Sequence, residues 1–163
     1  MQEELLQGLD AQRRRIHARW EALLRTERVN TPLAYPDSLV HLIEWTLDQV
    51  FAALRAPNSR RRAERAHIHA AARADCPCGR NPLLAFFLAG EQALLEALVL
   101  EQASRLSIDP VERDTALAEL YHAIRGIARR EIEAFCSVCQ HRHQERCETP
   151  AHAASAPQAG AGI

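Results

Sequence analysis

The sequence predicts an all-α protein: a single-domain bundle of about five helices that includes a long antiparallel helical hairpin, about 82–104 and 110–139. Apolar residues recur at three- and four-residue spacing through most of the chain. Asn81-Pro82 and Asp109-Pro110 stand where long helices need a cap and a proline-tolerant first turn. No segment alternates apolar and polar residues in the way a half-buried strand does. The chain has 163 residues, 47% apolar and 25% charged, the profile of one soluble globular domain. That domain is read as residues 1–148. The run 149–163 is small, proline-containing and glycine-rich, and reads as a disordered tail.

From Glu3 to about Glu27, Leu5, Leu6, Leu9, Ile16, Trp20, Leu23 and Leu24 mark one helical face, interrupted by the charge of Arg13, Arg14 and Arg15. Pro32 and Pro36 disfavour helix in the residue before each, so the chain between Asn30 and Pro36 reads as an extended connection. Asp37 is placed to cap a second helix carrying Leu39, Leu42, Ile43, Thr46, Leu47, Val50, Phe51 and Leu54 and ending near Ala56-Pro57. Residues 60–74 are rich in alanine and arginine and favour helix, but Ile68 is their only large aliphatic side chain, so this third helix is weakly anchored. The fourth runs from Pro82 to about Ser104 and is apolar nearly all round in its first half, as the central helix of a bundle is. Asp109, Pro110 and Glu112 open the fifth in a capping-box-like spacing, and Leu117, Leu120, Tyr121, Ile124, Ile127, Ala128, Ile132 and Phe135 form its face.

Composition also narrows the chemistry. All 20 basic residues are arginine, so lysine Schiff bases and Walker-type phosphate loops are excluded. Against 21 acidic residues they leave a net charge of −1, which argues against a general electrostatic grip on nucleic acid or on an anionic membrane. Met1-Gln2-Glu3-Glu4 lacks the basic start of a secretory signal, and the strongly apolar stretch Leu83 to Ala89 is far short of the roughly 20 residues that span a bilayer. A cytoplasmic location is expected, where close cysteine pairs read first as metal ligands or redox groups.

Those pairs are Cys76-Pro77-Cys78 and Cys136-Ser137-Val138-Cys139, with Cys147 beyond. Helices four and five, each roughly 35 Å long, should run antiparallel, which sets the start of the fourth beside the end of the fifth and brings the pairs together. Cys136 and Cys139 continue the apolar face of the fifth helix and should turn inward. Four converging thiolates suit tetrahedral zinc. His141, His143 and Cys147 are alternate ligands, able to complete a local site with Cys136 and Cys139. Thiolates also suit an iron–sulfur cluster, and the pairs could instead work as a thiol-based redox sensor. Cys76 and Cys78 favour that reading, since Arg73 and Arg80 flank them and positive charge stabilises thiolate. The plain alternative is that Cys136 and Cys139 are packed as small hydrophobes. Gln140 stands where an attached c-type haem needs histidine, and Cys76-Pro77 resembles only in its two residues the short Cys-Pro pair of haem-regulated proteins.

Other candidates each carry a bland reading beside the sharp one. His67 and His69, two apart on a helix, point to different sides. Glu91 lies among leucines and is either a buried functional carboxylate or the partner of an arginine. Arg60, Arg61, Arg62 and Arg65 could meet phosphate or simply form a solvated face. Trp20, Tyr35, Trp45 and Tyr121 read as core or core-edge residues. No Ser/His/Asp arrangement, phosphate loop or His-Glu-x-x-His is present, and no named catalytic chemistry follows.

Trp20-x2-Leu23-Leu24, Pro32-Leu33-Ala34-Tyr35-Pro36 and the amphipathic helix that follows resemble the helical N-terminal sensory domains of RsbR-type stress regulators. The resemblance covers residues 1–55 and implies an all-helical, partner-binding module without catalysis. The expected protein is therefore a non-enzymatic regulatory or adaptor domain that holds zinc and acts on a protein partner, with a homo-oligomer compatible and neither membrane nor nucleic acid called for.

Overall fold

The computed structural model describes residues 1–26, 34–56, 80–105 and 108–138. The third predicted helix, 60–74, and the tail, 149–163, lie outside the described residues. Within them the chain forms six helices and no strand: α1 (Glu3–Ala11), α2 (Arg13–Thr26), α3 (Pro36–Leu39), α4 (His41–Arg55), α5 (Pro82–Ala103) and α6 (Pro110–Val138). The four long helices close into a ring in which α5 lies between α2 and α6, while α4 joins α6 back to α2. Alpha1 extends α2 and reaches both α5 and α4.

Where the sequence predicts one N-terminal helix, there are two. At Gln12 the amide donates to the carbonyl of Leu9, three residues back, and this tighter bond interrupts the α-helical ladder. The Gln12 side chain is held by Glu101 of α5, which fixes the junction. The apolar face survives the break, since Leu5, Leu6, Leu9, Ile16, Trp20 and Leu24 are all buried. Asp37 does not cap the next helix. Tyr35 occupies the cap position of the short α3, Pro36 takes its first turn with the pre-set dihedral proline supplies, and Asp37 instead meets Arg25 at 3.3 Å. Alpha4 buries Ile43, Thr46, Leu47, Val50, Phe51 and Leu54, whereas Leu42 is solvent-facing.

The hairpin forms as the sequence predicts. The Asn81 side chain accepts from the Leu83 amide at 3.0 Å, and the Asp109 carboxylate accepts from the Val111 amide at 2.8 Å, each satisfying a donor that the helix start leaves unpaired. Apolar character runs the full length of α5 rather than stopping at Ala89. By length and a mean hydropathy of 1.8 this helix could cross a membrane, and 44% of that stretch is buried inside the bundle. Its inner side presents Phe86, Ala93, Leu94, Ala97 and Leu98 to the core. Trp20 lies across it and donates its indole N–H to the Phe86 carbonyl at 2.9 Å. Gly90 makes this approach possible, because a Cβ there would overlap the indole ring. Burying each large side chain in this core is worth roughly 1.5–3 kcal/mol.

Candidate functional site

Asn81 and Cys136 meet where the start of α5 lies beside the last turns of α6. Asn81 is 2% exposed, and while its oxygen caps α5 its amide nitrogen approaches the Ile132 carbonyl at 3.3 Å and the Cys136 sulfur at 3.4 Å. Cys136 is half-buried against the edge of the core. The antiparallel hairpin thus sets the start of α5 beside Cys136 near the end of α6, as the helix lengths predict; the meeting of the two cysteine pairs lies outside the described residues. The sulfur meets an amide donor at the start of α5.

Cys136 is the one proposed ligand among the described residues. Cys76, Cys78, Cys139 and the alternates His141, His143 and Cys147 lie outside them, as do His67, His69, Arg60, Arg61, Arg62 and Arg65. Among the described residues no three His, Cys, Asp or Glu side chains come together as a metal-binding group.

Glu91 has the arginine partner. Arg125 reaches it from α6 at 3.2 Å, with its guanidinium over the Tyr121 ring, 3.8 Å from the centroid. The hollow beside Glu91 is lined by Leu88, Leu95, Val99 and Leu100, with Gln92 and Glu96 among them. The aromatic residues divide. Trp20 is core and Tyr121 half-buried, but Trp45 and Tyr35 are 45% and 55% exposed, so the core reading fails for both. On α4 the apolar arc is wider than the core needs, and Trp45 falls on the side left over.

Sequence reasoning missed two groups. Glu119, 8% exposed on α6, pairs with the amino group of Met1, a partner from the far end of the chain that no local pattern indicates. Arg19 of α2 grips Glu96 of α5 through two bonds, 2.7 and 2.9 Å. Those bonds, with a further one from Gln92, hold the Glu96 carboxyl at about 2, against an ordinary value of 4.5.

Comparison with family models, with curated proteins and with solved structures gives no match to this chain. The class the fold itself defines is an all-α helical bundle.

Proposed function

We propose that this chain is a cytoplasmic, non-enzymatic regulatory or adaptor domain in which Cys76, Cys78, Cys136 and Cys139 hold a zinc ion. The observation that supports this is the contact between Asn81 and Cys136. Cys78 precedes Asn81 by three residues, a reach of about 10 Å at full extension, and Cys139 follows Cys136 by three residues in the sequence. Both pairs are therefore tethered to the same end of the hairpin. A tetrahedral thiolate site there would fasten the segment leading into α5 to the end of α6 and contribute folding free energy directly. The likeness of residues 1–55 to the sensory domains of RsbR-type regulators accords with a module that works by binding a protein partner.

The test is elemental analysis of tag-free protein purified without oxygen, with a visible spectrum recorded alongside. About one colourless zinc per chain is expected, and Cys139→Ser should lower metal content and thermal midpoint together. Iron with sulfide and a brown colour would replace this reading with the iron–sulfur sensor. Metal-free protein would overturn it and leave redox-active or packed thiols, which counting accessible cysteines separates.

A further inference from the structure

We draw no further inference here: the strongest candidate, the exposed apolar surface patch that Leu88, Val99 and Leu100 form on α5, carries nothing because nothing in the structure shows what covers it.

Discussion

Helices α4 and α5 stand at opposite corners of one ring, bury one side each in one core, and differ in what they turn to solvent. Alpha4 shows His41, Glu44 and Asp48, the last two held by Arg13 at 2.8 and 2.7 Å, with Leu42 and Trp45 as its apolar exceptions. Alpha5 shows Leu88, Val99 and Leu100. A corner helix needs only one apolar face to join a bundle, and α4 comes close to that pattern. Among the described residues Leu95 packs against the core edge, while Leu88, Val99 and Leu100 stay exposed.

The largest effect should come from the inner side of α5. Trp20→Ala removes the ring against Gly90 and the bond to Phe86, and should cost about 3–5 kcal/mol in urea unfolding. Leu98→Ala, also internal, should cost about 2–5 kcal/mol, while Leu88→Ala on the outer side should stay within about 0.5 kcal/mol at concentrations where the chain is monomeric. Equal losses at the two leucines would mean the outer face is not free, and would break the comparison. Asn81→Ala should cost about 1–2 kcal/mol, since it removes a helix cap and the amide that also donates to the Ile132 carbonyl and the Cys136 sulfur. Its thermal midpoint can be read with and without a metal chelator.

The smallest effect concerns the ion pair between α2 and α5. The Glu96 carboxyl sits at about 2 instead of 4.5, chiefly through Arg19 and then Gln92. A depressed carboxyl adds stability above its unfolded value and loses it as pH falls through the folded one, so this contribution should fade between about 4.5 and about 2. Glu96→Gln should remove that part of the acid limb in a pH series of melts. The pair is solvent-screened, so the shift in midpoint should not exceed about 2 °C.

The hairpin was legible because its signals are local: Asn81-Pro82 and Asp109-Pro110 each place a cap and a proline one residue apart, and both helices start there. From those two starts and the helix lengths, the placing of the start of α5 beside the end of α6 followed. The break at Gln12 was not legible, since no proline or glycine marks it and the fixing contact, Glu101, comes from another helix. Nor could periodicity say which side of α5 faces inward, because a helix apolar nearly all round has no preferred side until Gly90 and Trp20 choose one. The same limit hid the pairing of Glu119 with Met1. Of the proposed metal ligands only Cys136 falls among the described residues, so the remainder of that site still rests on spacing.

The two tryptophans give the molecule a built-in pair of optical reporters. Trp20 is sealed in the core with its N–H bonded to a carbonyl, and Trp45 is 45% exposed on α4. Iodide should quench the red-shifted emission of Trp45 and spare the blue-shifted emission of Trp20. In a Trp45→Phe background, fluorescence therefore follows the seating of α2 on α5 alone, and loosening of that contact becomes visible without any added label.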